Sequence, residues 1–89
     1  MNVIYFGTPD WAIPPLAGLV SKGFQVSMVV TQPDRFTGRK KILTPCAVKS
    51  FALQKNLLVF SPNKIRDLKV FSQIKQQNPD IIIVCAYGQ

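Results

Sequence analysis

The sequence predicts an α/β fold, a parallel Rossmann-like doubly wound sheet with the element order β-α-β-α-β-α-β. Four short apolar runs bounded by turn residues alternate with three segments whose apolar residues recur at helical spacing. The last run, Ile81–Ala86, is continuously apolar, which is typical of a strand buried on both faces of a parallel sheet. Because crossovers between parallel strands are right-handed, this order favours a doubly wound sheet.

The first strand and helix occupy the opening quarter of the chain. Asn2–Phe6 is short and apolar, and Gly7 after it indicates a turn, since glycine adopts conformations that a Cβ forbids. Asp10 favours a helix N-cap, whereas the Pro14–Pro15 pair disfavours helix just before it, so we expect an irregular first turn. Gly23 is a typical C-terminal stop. The predicted buried face of this helix is Ile13, Leu16, Ala17 and Val20.

Three further strands and two helices follow. Phe24–Thr31 predicts the second strand, and Thr44 followed by Pro45 predicts the N-cap and first residue of the second helix. Leu57–Phe60 predicts the third strand, ahead of a third helix that Asn78-Pro79-Asp80 ends. The expected inward face of the second helix is Val48, Phe51 and Ala52. That of the third helix is Ile65, Leu68, Phe71 and Ile74.

The connection from Gln32 to Pro45 is long and strongly basic. Strand–helix connections in compact α/β units usually take about 2–6 residues, so this one is expected to do more than connect. Ligands of such sheets bind beyond the carboxyl ends of the strands, where Gly7–Trp11, this connection and Tyr87–Gln89 are expected to meet. The cationic side chains of the connection are Arg35, Arg39, Lys40 and Lys41.

Composition narrows the classes of function. The 89 residues suffice for one small domain, and 47% are hydrophobic, so disorder is not expected. The formal charge of +7 favours an anionic partner, most commonly RNA or DNA, although a lysine-rich solvated surface gives the same total. Histidine and glutamate are absent, which excludes chemistry that needs an imidazole from this chain. No apolar segment reaches the length of a membrane helix, and the two cysteines predict reduced thiols in the cytoplasm.

Common nucleotide-binding motifs do not fit the first turn. Gly7-Thr8-Pro9-Asp10 is neither GxGxxG nor a P-loop with GKS or GKT, so a dinucleotide site and a P-loop are poorly supported. Taken alone, this segment predicts a tight strand–helix turn, and it favours Trp11 as a core residue over a ring that faces the substrate.

The combination of motifs is more specific. FGTPD follows the first strand, TQPDR and then Gly38-Arg39 follow the second, Pro45 leads to Val48-Lys49, and AYG follows the fourth. Over its whole length the chain resembles the amino-terminal part of the methionyl-tRNA formyltransferases. The resemblance implies that residues 1–89 are a single partial domain, the amino-terminal half of a formyltransferase catalytic domain. It also implies a cytoplasmic enzyme, without a metal, that transfers a formyl group from 10-formyltetrahydrofolate to the amino group of methionyl initiator tRNA.

The same resemblance assigns candidate site residues. It places the tRNA acceptor stem against the basic connection, at Arg35, Arg39, Lys40 and Lys41. It places the methionyl group near Thr8, Pro9 and Trp11, where the family usually has Phe in place of Trp11. It implies that folate is bound by the main chain of Tyr87, Gly88 and Gln89.

The resemblance assigns no catalytic residue to this chain. The family uses an Asn, a His and an Asp that lie downstream of AYG, and we assign none of the four aspartates to their roles. We therefore expect the 89 residues alone to be inactive. We also expect the full-length enzyme to be monomeric. The 89-residue chain is expected to self-associate through the apolar edge Ile81–Ala86. Two alternatives stay open: a non-catalytic RNA-binding module, and a formyltransferase for a small amine, which the basic connection disfavours.

Overall fold

A computed structural model describes residues 2–37, 42–63 and 68–87. Its four-stranded parallel sheet contains β1 (Asn2–Gly7), β2 (Gln25–Val30), β5 (Val59–Phe60) and β6 (Ile81–Cys85). The strand order is β5-β2-β1-β6, so the chain winds outward from the central β1 in one direction and then in the other. The predicted doubly wound α/β fold is confirmed.

Helices cover both faces of this sheet. A 3₁₀ turn, Asp10–Ala12, leads into α1 (Ile13–Ser21), and α2 (Ala47–Gln54) packs beside α1 on one face, which we call the closed face. The helix α3 (Leu68–Gln76) lies on the other face, which we call the open face. The closed-face core is fully or nearly fully buried and consists of Tyr5, Ala12, Leu16, Val26, Val29, Val48 and Ala52. The open-face core consists of Ile4, Phe6, Met28, Val30 and Tyr87.

The irregular start of the first helix is confirmed, although Asp10 is not its cap. Pro9 occupies the N-cap of the 3₁₀ turn and makes no side-chain cap. The two prolines lie in the first turn of α1, where the backbone N–H groups that proline lacks would have no helical partner. At the other end Gly23 adopts φ +83°, and the N–H groups of Gly23 and Phe24 donate to Val20 and Leu19.

Gly7 is required for its small size and not for its conformation. It ends β1 in ordinary strand geometry, and a Cβ there would lie 2.9 Å from Cε2 of Tyr5 and 3.2 Å from Cβ of Ala12. The expectation of a special turn conformation was therefore wrong, because the constraint comes from packing against the 3₁₀ turn.

The long connection after β2 contains secondary structure that we did not predict. β3 (Arg35–Thr37) pairs antiparallel with β4 (Ile42–Thr44), with Arg35 opposite Thr44. Thr44 therefore lies in a strand and does not cap α2. The N-cap is Cys46, whose Sγ accepts from the Lys49 N–H at 3.4 Å.

The predicted inward face of α3 was wrong in part. Val70 is buried and Ile74 packs on the open-face core, whereas Leu68 is 84% exposed and Phe71 is also exposed. Ile65 lies outside the described residues. The apolar residues of α3 form one wide stripe, and the sheet covers only the side of it that carries Val70 and Ile74.

The prediction that β6 is buried on both faces was also wrong. Among the described residues, β6 pairs with β1 alone and is therefore an edge strand, and Ile81, Ile82 and Val84 are exposed. Ile83 and Cys85 pack on the closed-face core, so one side of the strand is covered and the other is largely open.

Candidate functional site

The carboxyl ends of β1, β2 and β6 are joined by hydrogen bonds between three residues. Thr8 Oγ1 donates to the carbonyl oxygen of Tyr87 at 2.9 Å, and Gln32 Nε2 donates to the same oxygen at 3.1 Å. The backbone N–H of Gln32 donates in turn to Thr8 Oγ1 at 3.4 Å. Each residue directly follows its strand or lies two positions beyond it, so the sheet topology brings them together. We call this arrangement the Tyr87 clamp.

The side chain of Tyr87 is fixed as firmly as its main chain. Its hydroxyl donates to the carbonyl of Thr31 at 3.3 Å, and its ring meets Phe6 edge to face, with centroids 5.4 Å apart. Burial raises the pKa of the Tyr87 phenol above its ordinary value, so the hydroxyl keeps its proton and remains a donor at neutral pH. Tyr87 therefore belongs to the core as well as to the site.

The end of β5 is tied to the same region through hydroxyl groups. Thr31 and Ser61 place their Oγ atoms 2.7 Å apart, and the Thr31 hydroxyl also contacts the Gln32 carbonyl at 3.1 Å. All four strands of the parallel sheet thus have polar contacts at one edge, where ligands of such folds bind.

A cleft of about 450 Å³ opens at this edge. Its volume is within the range of small-molecule sites. A smaller cleft of about 160 Å³ lies on the other side of the shared residues Thr8, Gln32 and Arg35. The larger cleft is lined by Thr8, Pro9, Gln32, Arg35, Ala86 and Tyr87. The smaller one is completed by Pro33, Thr44, Pro45 and Cys46.

The base of the basic connection forms one wall of both clefts. Arg35 is exposed in β3 and lines the two cavities, so a cation stands beside both. The adjacent Asp34 pairs with Lys49 Nζ of α2 at 2.9 Å. A partly exposed pair of this kind contributes at most about 1 kcal/mol, but it fixes the start of the hairpin against the helix.

The structure brings some predicted site residues together and not others. Thr8, Pro9, Arg35 and Tyr87 all line the larger cleft. Trp11 is 63% exposed and is not among the residues that line either cleft, so it is also not the core residue that the turn alone favoured. The predicted residues Arg39, Lys40, Lys41, Gly88 and Gln89 lie outside the described residues.

Two residues of the site were not predicted from the sequence. Gln32 is only 4% exposed and supplies the second donor of the Tyr87 clamp, while Ala86 adopts a left-handed φ of 54° beside it. A glutamine after a strand has no distinctive spacing, and an alanine gives no sign of positive φ. Both belong to motifs quoted for the resemblance, TQPD and AYG, which were the available signals.

The described aspartates have structural surroundings. Asp80 accepts from the backbone N–H of Asn2 at 2.7 Å and Asp34 pairs with Lys49, while Asp10 is exposed in the 3₁₀ turn. Asp67 lies outside the described residues. Within residues 2–37, 42–63 and 68–87, no three side chains among His, Cys, Asp and Glu are grouped as a metal site would require. Cys46 and Cys85 are both free thiols.

No helix in the described part of the chain is long and apolar enough to cross a membrane.

Comparison with known proteins identifies the family. The formyl transferase family matches residues 1–89, so the chain belongs to it. Among curated proteins, it is 44% identical over 88 residues to the methionyl-tRNA formyltransferase of Enterococcus faecalis. It is 46% identical over 88 residues to that of Lysinibacillus sphaericus and 45% identical over 89 residues to that of Geobacter metallireducens. These matches cover 99%, 99% and 100% of this chain, which spans only 28%, 28% and 29% of the respective relatives.

Proposed function

We propose that residues 1–89 are the amino-terminal, substrate-positioning half of the catalytic domain of a cytoplasmic, monomeric methionyl-tRNA formyltransferase. Such an enzyme transfers a formyl group from 10-formyltetrahydrofolate to the amino group of methionyl initiator tRNA. The observation that carries this proposal is the cleft at the carboxyl ends of β1, β2 and β6, with Arg35 on its wall at the base of a basic segment. The names of the relatives support the choice of substrate.

The cleft offers a separate wall to each substrate. We assign the methionyl group to Thr8 and Pro9, with the exposed indole of Trp11 as an additional apolar surface. We assign the formyl donor to the wall made by Ala86 and Tyr87 and to the main chain of Gly88 and Gln89. Because both lone pairs of the Tyr87 carbonyl are already used within the protein, that oxygen is a support and not a contact for folate.

The basic connection is assigned to the tRNA acceptor stem. Arg35 starts the hairpin, and Arg39, Lys40 and Lys41 follow it in the sequence. Cationic side chains neutralise phosphates and release counterions, so each phosphate contact adds affinity that falls as salt rises. The guanidinium of Arg35 would thereby hold the acceptor end over the cleft.

The transfer itself needs groups that we assign to polypeptide outside these 89 residues. A neutral amine must attack the formyl carbon, an oxyanion must be stabilised, and protons must move between nitrogens. Of the described carboxylates, Asp34 is paired and Asp80 is bonded to Asn2. We therefore expect the 89-residue chain alone to bind and orient but not to formylate.

A chimera tests the proposal directly. In it, this chain replaces the matching 88 residues of the Enterococcus faecalis relative, and formylation of methionyl initiator tRNA by 10-formyltetrahydrofolate is measured. We expect activity from the chimera and none from the 89-residue chain. A chimera that folds but does not formylate would contradict the assignment, as would activity of the chain alone.

Substitutions in the chimera then test the tRNA wall. Arg35→Ala and Arg39→Ala should each raise the KM for tRNA and reduce the slope of log affinity against log salt by about one per lost phosphate contact. Lys22→Ala is the matched control, since Lys22 caps the far end of α1, toward the amino ends of the strands. If Arg35→Ala and Arg39→Ala lower the affinity for tRNA no more than Lys22→Ala does, the basic connection does not bind tRNA. Salt-dependent tRNA binding by a chimera without transfer would favour an RNA-binding module.

A further inference from the structure

The Tyr87 clamp is built from a buried amide, Gln32, and a half-buried hydroxyl, Thr8. Gln32 and Thr8 place two donors on one carbonyl oxygen, which fills both of its lone pairs. Gln32 is almost fully buried, and a buried amide is costly unless its hydrogen bonds are made. The arrangement therefore specifies the position of one backbone group, the carbonyl of Tyr87.

The hydrogen bond from Gln32 spans two strands that are not neighbours. In the order β5-β2-β1-β6, β1 lies between the strand that precedes Gln32 and the strand that precedes Tyr87. The Gln32 amide reaches across the end of β1. Thr8, which follows β1, donates to the same Tyr87 carbonyl and accepts from the backbone N–H of Gln32. The clamp fixes the distance between the segments that follow β2 and β6. The hydrogen bonds of the sheet do not do so, because they end at the last paired residues.

The backbone that the clamp holds is in a disfavoured conformation. Ala86 has φ 54°, a region in which a Cβ crowds the following carbonyl, so the conformation must be maintained by its surroundings. Ala86 and Tyr87 form one wall of the larger cleft, and Thr8 and Gln32 also line it. A released carbonyl would let Ala86 relax and change the shape of that wall.

We propose that Gln32 and Thr8 are positioning residues that hold residues 86–87 in the shape to which the formyl donor binds. This inference rests on the proposed function, and it assigns to Gln32 a role in recognising the folate and not the tRNA. Neither side chain needs to touch the reacting atoms, because both act through the Tyr87 carbonyl.

The first test uses the chimera defined above. Gln32→Met and Thr8→Val keep the size of each side chain and remove its donor, whereas Thr8→Ser keeps the hydroxyl. We expect each of the first two to raise the KM for 10-formyltetrahydrofolate about tenfold, and in Gln32→Met, which lies outside the methionyl wall, kcat should change by less than about twofold. For Gln32→Met the KM for tRNA should stay unchanged. Thr8→Ser, which keeps the hydroxyl, should keep the KM for 10-formyltetrahydrofolate near that of the unsubstituted chimera. Since both donors serve one oxygen, the double variant should lose less than the product of the two effects.

Ser27→Ala is the matched control for loss of a hydroxyl. Ser27 donates to the carbonyl of Val3 near the amino ends of the strands, away from the cleft. It should leave the KM for the formyl donor unchanged even where it lowers the melting temperature. If Gln32→Met and Thr8→Val lower the melting temperature with no selective rise in the KM for the formyl donor, the positioning role is wrong.

The second test requires no activity and uses the 89-residue chain. Amide hydrogen exchange at Ala86 and Tyr87 should accelerate about tenfold in Gln32→Met, while the amides of β1 and β2 keep their protection. Unchanged exchange at these two residues, or equal acceleration throughout the sheet, would overturn the inference. An inactive chimera would contradict the proposed function, and this measurement would still decide whether Gln32 holds the wall of the cleft.

Discussion

The two faces of the sheet are made from similar residues but differ in completeness. On the closed face, α1 and α2 cover the sheet, and Tyr5, Leu16 and Val29 have no exposed surface. On the open face, α3 buries Val70 and part of Ile74, while Leu68 and the outer strand β6 remain exposed. Apolar character alone therefore does not bury a residue, because burial also requires a surface to pack against. Within the described residues, helices cover the closed face more completely than the open face.

Truncating one side chain on each face should give the largest difference in the free energy of unfolding between the two faces. Leu16→Ala opens a cavity in the closed face and should lower the free energy of unfolding by about 2–5 kcal/mol. Phe71→Ala removes an exposed side chain of α3 and should change it by no more than about 0.5 kcal/mol. Urea denaturation of the 89-residue chain measures both. Similar losses would show that the open face is packed as tightly as the closed one.

Adding a single methyl group tests how tightly the closed face is filled. Gly7→Ala would push a Cβ against Tyr5 and Ala12, and should destabilise the chain by about 1–3 kcal/mol. Gly18→Ala is the matched control, because beyond its chain neighbours and the backbone of its own helix no atom lies within 4 Å of a Cβ there. In a helix interior that change should stabilise by about 0.5–1 kcal/mol, so the two melting temperatures should move in opposite directions. A neutral Gly7→Ala would contradict the close approach.

The exposed edge of the open face should associate with a second copy. β6 has unpaired backbone groups on one side and no charged residue or proline within Ile81–Cys85, the features that commonly protect an edge. Sedimentation velocity should show concentration-dependent dimers that increase with salt, since screening weakens the repulsion between chains of charge +7. Val84→Lys should weaken the association about tenfold or more, because a side chain that is 64% exposed in the monomer would no longer be buried in the contact.

Leu53→Lys supplies the control for that substitution. Leu53 is also exposed, but it lies on α2 and not on the sheet edge. It adds the same charge and should leave the edge contact intact apart from the general repulsion. A chain that stays monomeric at high concentration and high salt would show that the edge of β6 is protected.

The smallest effect is expected where the clamp meets the open end of the sheet. Ala86→Gly relieves the left-handed conformation but makes the unfolded chain more flexible, so the net gain should be about 0.5 kcal/mol. Thermal unfolding measures it, with Gly18→Ala as a reference that is expected to stabilise the chain. A clear loss of stability would mean that the methyl group of Ala86 contributes packing at the cleft that outweighs its strain.

The sequence predicted the parts of the fold that depend on local pattern. The four apolar runs, bounded by residues such as Gly7 and Asn78, identified the four strands of the parallel sheet. The inward face of α3 was not predictable, because its apolar stripe is wide and packing on the sheet selects the side that carries Val70 and Ile74. Cys46 was missed as a cap because the pairing of Thr44 with Arg35 across the hairpin is a tertiary contact.

The location of the candidate site was predictable from the sequence, but the hydrogen bonds within it were not. Parallel topology alone placed the segments after the strands at one edge, and Thr8, Pro9, Arg35 and Tyr87 do meet there. The contact of Gln32 with Tyr87 joins residues 55 positions apart, and no periodicity in the sequence links them. Arg39, Lys40 and Lys41 stay predictions made from charge and resemblance.

The pairing of β1 has a consequence for how the molecule is built. β1 is synthesised before the other strands of this sheet and lies in its middle, with β2 on one side and β6 on the other. Val3 pairs with Val26, but it pairs also with Ile81, so its second neighbour is synthesised 78 residues later (81 − 3). A nascent chain must therefore keep one side of its central strand unpaired until translation has passed residue 85. Contacts of such long sequence separation slow folding, and the interval is a natural point for a chaperone to bind.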